Sequence, residues 1–97
     1  MNKEKLEYIL RHRGMYGIEA DLGRAISFVA GFDAASDGLV LNGFRDWFIS
    51  SFMGNSSEPF SWLILVEQEV KRIEENEVKR VSVFVDIVVE YLNRKKF

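Results

Sequence analysis

Cysteine is absent from the 97 residues, proline occurs once, at Pro59, and histidine once, at His12. Without cysteine there is no disulfide framework, no thiolate zinc site and no cysteine nucleophile, and the composition suits a reducing cytoplasm. A single imidazole excludes any triad or metal centre that needs two. No uninterrupted apolar run approaches the ~18 residues of a membrane span. The N-terminal Met-Asn-Lys-Glu-Lys is charged where a signal peptide would be apolar. The expectation is a soluble cytoplasmic protein with no membrane segment and no cofactor.

Positive charge is scarce in the middle of the chain. Between residues 14 and 69 only Arg24 and Arg45 are basic, against Glu19, Asp21, Asp33, Asp37, Asp46, Glu58, Glu67 and Glu69, a net of −6. The flanks sum to +4 (four basic and two acidic before, seven basic and five acidic after), so the formal −2 of the whole chain hides a segregated charge distribution. An acidic middle suits a cationic partner better than nucleic acid. The three cations of Arg94-Lys-Lys96 are too few to argue DNA binding.

Against these absences stands a hydrophobic content of 47%, with 13% aromatic, enough for one core and one domain over residues 1–97. Leu6, Ile9 and Leu10 recur at helical spacing, predicting a first helix over Lys3 to Arg13 that Gly14 stops. Leu22, Ile26 and Val29 mark a second over Glu19 to Ala35. Gly31 inside it costs about 1 kcal/mol relative to alanine, which would make sense if another helix passed close. Ser36-Asp-Gly38 is a turn signal, and Asn42 is the expected N-cap of a third helix carrying Phe44, Trp47, Phe48 and Phe52.

Gly54 to Ser57 is the most loop-like stretch, and Pro59 suits the first turn of a fourth helix through Trp62, Leu63, Val66, Val70 and Ile73. Val81 to Val89 fits the period of a strand as well as that of a helix. Val78, Val81, Val85, Val88 and Leu92 hold helical spacing for about four turns, and a strand here would have no partner, so the segment is read as helix. The fold predicted is all-α, a compact single-domain bundle of about five helices.

No catalytic motif stands out, and the chain is not expected to be an enzyme. His12 reads as a surface residue at a helix end. Leu10-Arg-His-Arg-Gly-Met-Tyr-Gly17 is similar to a short element of type II topoisomerase ATPase domains. Those domains also need an Asp-x-Gly-x-Gly segment, and this chain has none. Gly14 and Gly17 are instead expected to permit a tight turn that sends Met15 and Tyr16 into the core. Trp47 and Trp62 lie on apolar stripes and are expected to be mostly buried. Glu67 and Lys71 are spaced to pair across one helical turn.

Taken in order, Arg13-Gly-Met-Tyr-Gly17, Phe28-Val-Ala-Gly-Phe32 with Ala35, Gly43-Phe-Arg-Asp-Trp47 and Trp62-Leu-Ile-Leu65 resemble a family of small bacterial proteins. Many of its members lie beside toxin genes, and some are immunity proteins of contact-dependent growth-inhibition or other polymorphic toxin systems. The likeness runs from about Leu10 to Leu92 on short motifs of glycine and aromatic residues. It departs at Arg13, where the family has proline. The resemblance implies a cytoplasmic antidote that binds the C-terminal domain of one cognate toxin, often a nuclease, and blocks it. An acidic surface would mimic the polyanionic substrate of such a basic nuclease. Asp33, Asp37, Asp46 and Glu58 are the residues chosen for that surface, because they lie at or near predicted loops where helix ends could present them together. The competing readings are a small hydrolase using surface carboxylates and a regulator binding nucleic acid.

Overall fold

A computed structural model describes residues 2–54 and 61–94. Five α-helices follow one another: α1 (Asn2–Arg11), α2 (Leu22–Ala35), α3 (Phe44–Phe48), α4 (Trp62–Ile73) and α5 (Glu77–Arg94). A 3₁₀ turn over Arg13–Tyr16 follows α1, and a π-helical turn over Ile49–Met53 prolongs α3. The described residues contain no strand, so the all-α bundle predicted from spacing is the fold observed.

Local chemistry sets the helix ends. Asp21 caps α2, its carboxylate accepting the amide of Arg24 at 2.7 Å, so the helix starts three residues later than the apolar pattern suggested. Asn76 does the same for α5, accepting from the Lys79 amide at 3.1 Å. The N-cap of the third helix is Gly43, in the left-handed region at φ 88°, and not the expected Asn42. Glycine adopts that conformation without the penalty a Cβ imposes. The fourth helix opens at Trp62, and the expected role of Pro59 lies outside the described residues.

The ambiguous valine-rich segment is helical throughout. It packs against α1, α2 and α4, placing Val81, Phe84, Val85, Val88 and Leu92 in the core. Val78 departs from the predicted stripe and is 79% exposed, because the packed part of α5 begins one turn later. Ile73, at the end of α4, is also exposed. Among the described residues one carboxylate is buried with the core: Glu69 accepts from Arg72 Nε, at 3.0 Å, and from a second guanidinium nitrogen. That hydrogen bond and charge push the Arg72 guanidinium further above its usual range.

Phe44, fully buried, is the centre of the aromatic cluster. Its ring meets Trp62 edge-on at 5.3 Å and Tyr91 edge-on at 5.2 Å, with Trp47 and Phe48 at 5.9 and 6.0 Å. Trp47 and Trp62 are mostly covered, as expected, but they pack against the edge of the core and are not among its fully buried residues. They wall the cluster on its outer side, and the Arg94 guanidinium lies over the Trp47 ring at 5.9 Å. Gly31 is exposed, and a Cβ there would touch nothing within 4 Å. Among the described residues no helix passes within 4 Å of that position, so they give no packing reason for this glycine.

Candidate interaction surface

The Asp33 carboxylate accepts the Leu41 amide at 2.8 Å, while its own carbonyl accepts the Ser36 hydroxyl at 2.8 Å and the Gly38 amide at 2.8 Å. These bonds fold residues 36–41 back onto the end of α2. Asp33 is half-buried, and one of its carboxylate oxygens belongs to the fold. The residues it holds are the exposed ones. Asp37 sits in the left-handed region at φ 59°, which aspartate tolerates better than most residues, and Gly38 follows at φ 72°. Leu39 then projects with 66% of its surface exposed.

Asp46 lies in the first turn of α3, where the helix dipole favours an acid. Its side chain is almost wholly exposed, with the Arg45 guanidinium 4.0 Å away. The Asp33–Leu41 bond returns the chain to the end of α2, and Asp46 follows five residues after Leu41 in the sequence. Glu58 lies outside the described residues. Of the other three chosen carboxylates, Asp37 and Asp46 are exposed, and Asp33 organises the turn that carries Asp37. Leu39 is the exposed aliphatic member of that turn. Its one signal in the sequence was its place directly after Asp37-Gly38, which leaves its side chain beyond the reach of the core.

A second exposed feature is the 3₁₀ turn after α1. Met15 is 77% and Tyr16 47% exposed, so neither enters the core, contrary to the sequence expectation. The reason is Arg13. Its guanidinium donates to the Leu10 carbonyl at 3.2 Å and to the Ser82 hydroxyl at 3.0 Å, and Glu19 approaches its Nε at 3.4 Å. Ile18 is the buried apolar residue of this segment, and Met15 and Tyr16 stay on the outside. Gly17 closes it at φ 71°, as its sequence position predicted. Arg11, His12, Arg13, Gly14, Met15 and Glu19 line an open depression beside the turn. His12 is exposed at the end of α1, its Nδ1 2.8 Å from the Tyr8 carbonyl oxygen.

Glu67 and Lys71 pair at 3.2 Å, as their spacing predicted. Among the described residues no group of three or more His, Asp or Glu side chains could hold a metal ion, and no helix is long and apolar enough to cross a membrane. No family model matches the chain, and neither a curated protein nor a solved structure matches it.

Proposed function

We propose that this chain is a cytoplasmic antidote that binds the C-terminal domain of one cognate toxin, a cationic nuclease, and neutralises it without performing chemistry itself. The observation that carries the reading is the turn held by Asp33, which exposes Asp37 and Leu39 within three residues of each other. The net −6 of residues 14–69 and the resemblance to immunity proteins support it. Exposed carboxylates raise the rate at which a basic surface is met, and an exposed leucine on a braced turn supplies the apolar contact that slows departure. The turn is preorganised, so little conformational freedom is lost when a partner closes over it.

The test is coexpression with the C-terminal domain encoded immediately upstream of this chain's gene. Survival of cells that otherwise die, and a one-to-one complex of the purified components, are the expected results. Death at an unchanged rate, or no complex at about micromolar concentration, would leave the hydrolase and regulator readings in its place.

A further inference from the structure

Asp37-Gly38 and Asn42-Gly43 each end in a glycine held in the left-handed region, at φ 72° and φ 88°, and all four residues are exposed. An aspartate or asparagine that precedes glycine is open to a reaction within the chain. The glycine nitrogen attacks the side-chain carbonyl carbon and closes a five-membered succinimide. Glycine hinders that attack least, because it has no Cβ. In a folded chain the ring forms only where the glycine nitrogen is not already engaged.

The two turns differ at that nitrogen. Gly38 donates its amide to the Asp33 carbonyl at 2.8 Å, inside the braced turn, whereas the Gly43 amide makes no hydrogen bond among the described residues. The carbonyl of the same Asn42-Gly43 peptide group accepts the Tyr91 hydroxyl. A donor on that oxygen favours the negative charge the peptide group takes when its nitrogen loses a proton. The leaving groups differ as well: asparagine expels ammonia, while Asp37 would have to lose water from a carboxyl group that is ionised at neutral pH. The other described asparagines lack the glycine. Asn76 precedes Glu77 and accepts the Lys79 amide, Asn93 precedes Arg94 and donates to the Val89 carbonyl at 2.9 Å, and Asn2 precedes Lys3 at the start of α1.

We propose that Asn42 is a site of spontaneous modification, the asparagine at which the folded chain deamidates first. The Gly43 nitrogen gives up its proton to solvent and bonds to Asn42 Cγ. The Cγ–N bond of the side-chain amide breaks, and that nitrogen leaves as ammonia, its third proton taken from water. Water then opens the succinimide at one carbonyl or the other, giving isoaspartate or aspartate, with nothing oxidised or reduced. The product carries a carboxylate in place of a neutral amide, so the chain gains one negative charge directly ahead of α3. The isoaspartate form also lengthens the backbone by one carbon beside the Tyr91 contact. This inference stands apart from the antidote reading and needs no toxin to test it.

Incubation of the whole folded chain in mildly alkaline buffer, followed by ion exchange and peptide mapping with isoaspartate detection, reads it directly. The acidic form that accumulates first should carry its change at Asn42. Asp37→Asn gives both turns the same side chain, so any difference in rate between them comes from the fold. In that variant position 42 should react about tenfold or more faster than position 37 while the chain is folded, and the two should react at similar rates in urea. Its circular dichroism melt should match the wild type. If the variant unfolds, the wild-type map still decides. Asn42 left intact in the folded chain while it converts in urea overturns the proposal. So do equal rates at the two turns of the folded variant, or earlier conversion at any other asparagine.

Discussion

The Tyr91 hydroxyl donates a hydrogen bond to the carbonyl oxygen of Asn42, joining α5 to the start of α3 across 49 residues of chain. The next residue, Gly43, makes the approach possible: a Cβ there would lie 3.0 Å from the same hydroxyl and would require φ 88° of a residue with a side chain. Tyr91→Phe should cost about 1 kcal/mol, the net worth of a hydrogen bond. Gly43→Ala should cost about 1–2 kcal/mol from backbone conformation alone, and more from the contact. The double variant should cost less than the sum, since removing the hydroxyl relieves the contact. Strict additivity in urea denaturation would show that the two positions do not touch.

Burial pushes the Tyr91 phenol above its ordinary value of 10.0. A phenol held neutral in the folded chain but free to ionise in the unfolded one contributes stability that is fully present below pH 10 and is lost as pH rises through the folded value. Stability should fall more steeply above about pH 10 for the wild type than for Tyr91→Phe. Parallel alkaline profiles would assign the loss to other groups.

Gly31 sits inside α2, and none of the described residues lies within 4 Å of where its Cβ would be. Gly31→Ala should therefore stabilise the protein by about 0.5–1 kcal/mol. Thermal melts decide this, and a lower melting temperature would place an unseen neighbour beside that helix face.

Phe44→Ala should cost about 3–5 kcal/mol, because it removes the fully buried ring that Trp47, Phe48, Trp62 and Tyr91 surround. Trp47→Ala and Trp62→Ala remove partly buried rings at the edge of the cluster and should each cost less than Phe44→Ala. Chemical denaturation of the three variants should give that order. Equal losses would put the tryptophans back in the core.

Asp33 and Asp37 should separate structure from recognition. Asp33→Ala leaves the Leu41 amide without its acceptor and should cost about 1–2 kcal/mol, whereas Asp33→Asn keeps an oxygen there and should cost less. Asp37→Asn retains tolerance of the left-handed conformation and should leave stability within about 0.5 kcal/mol while slowing association with a basic partner. The melting curve and the association rate measured on the same proteins distinguish the two roles.

What was legible in the sequence was whatever depends on periodicity and near neighbours. Helical spacing placed all five helices, and it resolved the valine-rich segment as α5 because a helical stripe there finds core on three neighbouring helices. The Glu67–Lys71 pair and the left-handed Gly17 follow from local geometry alone. Of the acidic surface, the presence of carboxylates near turns was legible. The division of labour between Asp33 and Asp37 was not, because it depends on a bond from Asp33 to an amide eight residues away.

The amino-acid order by itself determined the number and type of helices, the single core and the segregation of charge, since these follow from apolar spacing and residue counts. Only the tertiary structure decided which apolar side chains are left outside. Met15 and Tyr16 have the hydrophobicity of core residues, but Arg13 is anchored to Ser82, 69 positions away, and that anchor turns them to solvent. Phe44 is at the aromatic centre, and the larger tryptophans are not, because Tyr91 of α5 and Trp62 of α4 both converge on its ring. A contact between distant residues sets the direction of a side chain, and no period in the sequence records it.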